Sequence, residues 1–136
     1  MSTEENKVLF RGIIEDFNSG KHDAPFDVMA SDCVIEDERG ESFNKESYRK
    51  RMAELLAVFP DYHLVIKDLY AVEDKVIVRY SETGTMKGDF MGIPATGKSF
   101  TAPAIEIWRF NDGRLTGLWM ARDTLTASMQ TGMIQM

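Results

Sequence analysis

The hydrophobic period of this chain changes from helix to strand at residue 62, and that change limits what it can fold into. Before Pro60 most apolar residues recur at helical spacing; from Tyr62 onward they follow a strand pattern. Leu9, Ile13 and Phe17, with Phe10 and Ile14, form one apolar helical face. A Ser2/Glu5 capping box opens that helix and Asn18-Ser19-Gly20 stops it. Pro25 suits the first position of a short helix running through Met29. Residues 33–38, CVIEDE, are a first strand candidate. Asn44 can cap a second long helix with the stripe Tyr48, Met52, Leu55, Leu56 and Phe59, which Pro60 ends. The later runs YHLVIKDLYAVE, KVIVRYSETGT, FTAPAIEIWRFN and RLTGLWMARD are rich in β-branched and aromatic residues. Glu73-Asp74 and Asn111-Asp112-Gly113 supply hairpin turns between them. Helices first and long antiparallel strands after predict one α+β domain over residues 1–136, with helices on one face of a curved sheet.

Composition narrows the function classes. A net charge of −6 repels phosphate backbones and anionic lipid, so neither nucleic acid nor a membrane surface is an expected partner. The start, MSTEENK, is polar and acidic, unlike a secretory signal, and no apolar run is long enough to span a bilayer. A single cysteine, Cys33, fits a reducing cytoplasm and reads as core rather than nucleophile. The two histidines, His22 and His63, sit in different segments, without metal-ligand spacing, and no metal is expected.

One string points elsewhere. GIPATGKS, residues 92–99, fits the phosphate-binding pattern G-x-x-x-x-G-K-[ST]. That loop works only between a buried parallel strand and a helix whose amides face the phosphates. Here a poor strand precedes it and FTAPAIEIWRF, a β pattern with Pro103, follows. Nucleotide hydrolysis is therefore rejected.

The same stretch, GTMKGDFMGIPATGK over residues 84–98, resembles the G-T-x-x-G-x-f-x-G-i-P-x-T-G-k segment of the SnoaL-like polyketide cyclases, of the nuclear transport factor 2-like superfamily. The likeness continues through Ile105–Phe110, Asp112–Leu115, Trp119, Asp123 and Leu125, and includes Phe59-Pro60-Asp61 upstream. It covers about residues 4–132. It implies a cone: a strongly bent antiparallel sheet closed by helices around an apolar pocket, commonly dimeric through the sheet. It implies the fold more narrowly than the reaction, because the superfamily hosts cyclases, isomerases, dehydratases, epoxide hydrolases and non-catalytic binders.

The resemblance also nominates site residues. The cyclases carry a catalytic aspartate in W-D-x-x-D on the last strand; here the stretch is Trp119-Met120-Ala121-Arg122-Asp123, so Met120 stands where the acid/base would be and only Asp123 remains. Glu106 matches the pocket histidine of the preceding strand and shares a strand face with Ala104 and Trp108. In a closed cavity its pKa should rise, which suits it to take and return a proton. The alternatives are that Glu106 pairs with Arg79 or Arg109 at a surface, and that Asp123 caps a terminal turn. Tyr80, mid-strand, is a candidate donor to an enolate oxygen. Trp108, Met120, Leu118 and Met91 are expected to wall the pocket, with Glu36 or Asp37 contributing a polar group. The expected activity is cofactor-free acid/base chemistry on a small apolar carbonyl compound, aldol cyclisation or isomerisation, with Glu106, Asp123 and Tyr80 as its catalytic residues. The rivals are a ligand-binding or dimerisation domain that has lost catalysis through Met120, and a hydrolase built on Arg79, Arg122 and Asp123.

Overall fold

The computed structural model describes residues 1–135. Four helices, α1 (Thr3–Asn18), α2 (Ala24–Val28), α3 (Lys45–Val58) and α4 (Thr124–Thr131), accompany six strands. These are β1 (Met29–Glu36), β2 (Ser42–Phe43), β3 (His63–Val72), β4 (Lys75–Thr85), β5 (Ser99–Asn111) and β6 (Arg114–Arg122). The helix ends form as their caps dictate. Ser2 Oγ accepts from Glu5 N while the Glu5 carboxylate accepts from Ser2 N, and Asn44 accepts from Ser47 N.

One open sheet runs in the order β2-β1-β6-β5-β4-β3. β3 to β6 form an antiparallel meander, with the expected turns between β3 and β4 and between β5 and β6 and a loop over 86–98 between β4 and β5. β1, however, lies parallel to β6 and begins at Met29, four residues before the expected start. The sheet is therefore mixed rather than wholly antiparallel. Register shifts in β1, β3 and at Arg109/Phe110 mark bulges, which bend a sheet. The edge strand β3 is partly closed by Asn18, whose side chain bonds both Leu64 N and Leu64 O and so blunts strand addition.

Strict alternation sends Phe100, Ala102, Ala104, Glu106, Trp108 and Phe110 of β5 inward, along with Val76, Val78, Tyr80 and Glu82 of β4. The α1 stripe Phe10, Ile13, Ile14 and Phe17 packs over them, Phe10 meeting Trp108 edge-on at 4.8 Å. Tyr48 and Met52 of the α3 stripe are buried, whereas Leu55 and Leu56 are half-buried. Cys33 is core, and burial pushes its thiol up to about 11, away from reactivity.

The G-K-S match is a turn in a loop. Phe90 and Ile93 exchange backbone hydrogen bonds, and Met91 and Gly92 between them take φ of +48° and +82°, the geometry of a two-residue hairpin turn. The loop then enters β5, and no helix follows to bind a phosphate. Gly88 has a separate reason: a Cβ there would come within 2.3 Å of Ala57 O, so the loop can lie against the end of α3 only with glycine.

Candidate functional site

Polar side chains converge inside the apolar face of the sheet. Glu106 is only 4% exposed, and Glu82, two residues beyond Tyr80 on β4, is 3% exposed. Between them lies Arg122, the last residue of β6. Its Nη2 donates to Glu106 Oε2 at 3.2 Å and its Nε to Glu82 Oε2 at 3.1 Å. The register explains the reach. Ala104 of β5 stands opposite Arg122 on one side and Tyr80 on the other, and Ala102 stands opposite Glu82. Two methyl groups leave room for the guanidinium to lie across β5 to a carboxylate one strand further on.

The second Glu106 oxygen is also held, and Glu82 Oε2 takes a second donor. Trp108 Nε1 donates to Glu106 Oε1 at 2.8 Å, and Tyr62 Oη donates to Glu82 Oε2. Two carboxylates thus share one guanidinium in a nearly dry interior. Burial raises the Glu106 carboxyl above the usual carboxylate range, against the pull of Arg122 and Trp108, and the neighbouring Glu82 charge adds to the rise. Tyr80 is fully buried, and its hydroxyl lacks a hydrogen-bond partner among the described residues. Burial first, and the adjacent Glu106 carboxylate second, hold that phenol well above its normal range, so it stays a donor.

The residues singled out in the sequence divide. Glu106 and Tyr80 belong to this cluster, with Trp108, Met120 and Leu118 buried around it. The partner of Glu106 is Arg122, not Arg79 or Arg109, which pair with Asp68 and Asp74. Asp123 does not join them: it caps α4, accepting from Thr126 N at 3.0 Å and Thr126 Oγ1 at 2.7 Å. Those bonds hold its carboxyl below the usual range. Met91 is 88% exposed at the tip of the loop and walls no interior. Glu36 points outward; Asp37 is the buried one, and it is tied to Arg39 and to the amides of Arg39 and Glu41 in a turn. Glu82 and Tyr62 join the cluster without having been nominated by the sequence, and Arg122 meets two glutamates rather than Arg79 and Asp123. The signal for both ends of the bridge was present: Tyr80 and Glu82, and Met120 and Arg122, are spaced by two and share faces.

Two surface depressions of about 260 and 180 Å³ accompany this cluster. The larger lies between α1 and β3; the smaller, near Arg79 and Pro103, is lined in part by Tyr80, and neither is lined by Glu82, Glu106 or Arg122.

Helices over the concave face of a bent, open sheet, with ionisable groups inside, define the nuclear transport factor 2-like class. Within it, the profile of the SnoaL-like polyketide cyclases matches residues 7–131, and the chain belongs to that family. Among solved structures it is similar to AclR, a candidate hydroxylase from Streptomyces galilaeus, at 27% identity and a TM-score of 0.91, covering 98% of this chain and 100% of that one. It is also similar to IdmH, a candidate polyketide cyclase from Streptomyces antibioticus, at 28% identity and a TM-score of 0.82 over 93% and 97% of the two chains. A candidate polyketide cyclase from Acidithiobacillus ferrooxidans is 27% identical, with a TM-score of 0.77 over 99% of both chains. No curated protein matches the sequence significantly.

Proposed function

We propose that this domain is a cofactor-free acid/base catalyst acting on a small, mostly apolar carbonyl compound, by aldol cyclisation or isomerisation. The observation that carries the reading is a Glu106 carboxyl that is buried, raised in pKa and fixed by Trp108 and Arg122, beside the unpartnered Tyr80 hydroxyl. A carboxyl poised closer to neutrality can accept a proton from carbon and give it back. Glu106 does this, Tyr80 supplies a donor at the point of transfer, and Asp123 is left to its helix. Loss of the last-strand aspartate to Met120 is then compensated on the neighbouring strand, since Glu106 and Met120 are paired in register. Ligand entry requires side chains to yield, and the buried thioethers of Met52 and Met120 are the adaptable ones.

The test is proton exchange at the carbon next to a carbonyl. With 1-tetralone in heavy water, the protein should replace the α-protons faster than buffer does, read by proton NMR. Binding of tetralone and related aromatic ketones without exchange would instead support the non-catalytic reading. A hydrolytic reading has one observation in its favour, the arginine shared by two carboxylates, now Glu82 and Glu106 rather than Asp123. Uptake of ¹⁸O from labelled water into a small apolar epoxide separates it from the others.

The outer face of the sheet supports a homodimer. Tyr70, Ile77, Ile107 and Trp119 lie in register across four strands, and Ile105 stands beside them at 43% exposure. An apolar band of this kind marks an interaction face, and a second copy of the same chain can cover it. Sedimentation should give a mass near twice 15.4 kDa for the native chain and the monomer mass for Ile105→Asp. An Ile105→Asp variant that stays dimeric would exclude this face. No helix is long and apolar enough to cross a membrane among the described residues. The lone cysteine favours a cytoplasmic site of action.

A further inference from the structure

The third nitrogen of the Arg122 guanidinium is poorly served. Nε and Nη2 reach carboxylates, but Nη1 donates to the sulfur of Met120, at 3.0 Å. Tyr48 Oη, on α3, points at the same sulfur from 4.0 Å and is 6% exposed as a residue. A thioether is a weak acceptor. Two strong donors converging on one inside the protein are under-satisfied, and buried polar groups seldom stay so without a reason. Tyr48 keeps its proton, because burial raises its pKa above the ordinary phenol range despite the nearby Arg122.

We propose that the sulfur of Met120 holds the place of a ligand oxygen, so that Arg122 Nη1 and Tyr48 Oη form a subsite for the carbonyl or enolate oxygen of a small apolar ketone. The proposal rests on the acid/base reading of Glu106 and adds where the oxygen goes. Met120 and Glu106 are cross-strand neighbours, so a ketone with its oxygen at the sulfur position brings its α-carbon to the Glu106 side of the cluster. When the C–H bond breaks, the proton passes to Glu106 and the electron pair moves to the carbonyl oxygen as an enolate. Arg122 and Tyr48 face the charge as it develops, which is where preorganised donors accelerate a reaction. Return of the proton to carbon regenerates the carboxylate and releases Arg122 Nη1 to the sulfur again. The methionine side chain, with three rotatable bonds, can swing aside without leaving a hole in the resting protein. On this account a methionine at the family's aspartate position is a plug for the oxygen subsite.

The test uses the full chain labelled with [methyl-¹³C]methionine, with the Met120 signal assigned through Met120→Leu. Titration with 1-tetralone should move the Met120 methyl, while that of exposed Met91 stays fixed. Tyr48→Phe should weaken tetralone binding about tenfold, the worth of one hydrogen bond to the ligand. Val8→Ala, on the exposed side of α1, should bind as the native chain does. A Met120 methyl that does not respond overturns the subsite, and this readout needs no variant to fold. So does a folded Tyr48→Phe protein with undiminished affinity. Glu106-dependent exchange of tetralone that persists with Met120 unmoved sinks the subsite alone and leaves the acid/base reading standing.

Discussion

Replacing Glu106 by glutamine lowers the rate of α-proton exchange on 1-tetralone by about 10²–10⁴-fold, the usual contribution of a positioned general base. Glutamine keeps the size of the side chain and one acceptor oxygen for Trp108 or Arg122, so the packing around it survives. What it loses is the ability to hold a proton taken from carbon. The pH profile of the native protein carries the same information. Glu106 works as a base only when ionised, and its pKa is raised, so the exchange rate climbs through a range above that of an ordinary carboxylate and then levels off. A Glu106→Gln protein that exchanges as fast as the native one would remove Glu106 from the chemistry.

Loss of Arg122 is the larger event for stability. Arg122→Ala leaves Glu82 and Glu106 facing each other in the interior with no cation between them. Breaking a buried ion pair from one side costs about 3–5 kcal/mol, because the desolvated charge that remains has no partner. The sign of the pH dependence follows from linkage. Without Arg122 the Glu106 carboxyl, already raised by burial, loses the cation that pulls it down, so the folded protein binds more protons there than the unfolded chain. Stability then falls as pH rises above the unfolded carboxyl pKa of about 4.3. Below that value Glu106 is protonated in either state and the penalty shrinks. Urea unfolding at pH 4 and pH 7 should show the greater deficit at pH 7. Equal deficits at the two pH values would mean that Arg122 acts by packing alone. The triple variant Glu82→Gln, Glu106→Gln, Arg122→Met, which removes all three charges together, should recover most of the loss.

Much of the fold was legible because local signals agreed with one another. The Ser2 and Asn44 caps, the Pro60 stop, the turn residues and the strand alternation each specified their own neighbourhood. The parallel pairing of β1 with β6 was not, because those strands lie about 80 residues apart and no turn residue records their meeting. The G-K-S match makes no phosphate loop, because a hairpin turn and a strand surround it.

The buried polar cluster was legible in part. Glu106, Trp108 and Tyr80 follow from strand period applied to a chemically odd residue in an apolar run. Arg122 ends β6, where alternation is easily taken to have stopped, and its meeting with Glu82 depends on two alanines of a third strand. Asp123 drew attention because it matches a family motif. Its position, first before a helix and three residues ahead of Thr126, already described a cap.

The central claim is that Glu106 is a desolvated carboxyl kept ready for proton transfer. NMR titration of labelled glutamate carboxyls, with Glu106 assigned through Glu106→Gln, tests it most directly. The account predicts a midpoint clearly above the unperturbed ~4.3, as burial and the Glu82 charge outweigh Arg122 and Trp108. A midpoint at or below that value would show an ordinary ion-paired carboxylate, and the acid/base function would have to be abandoned.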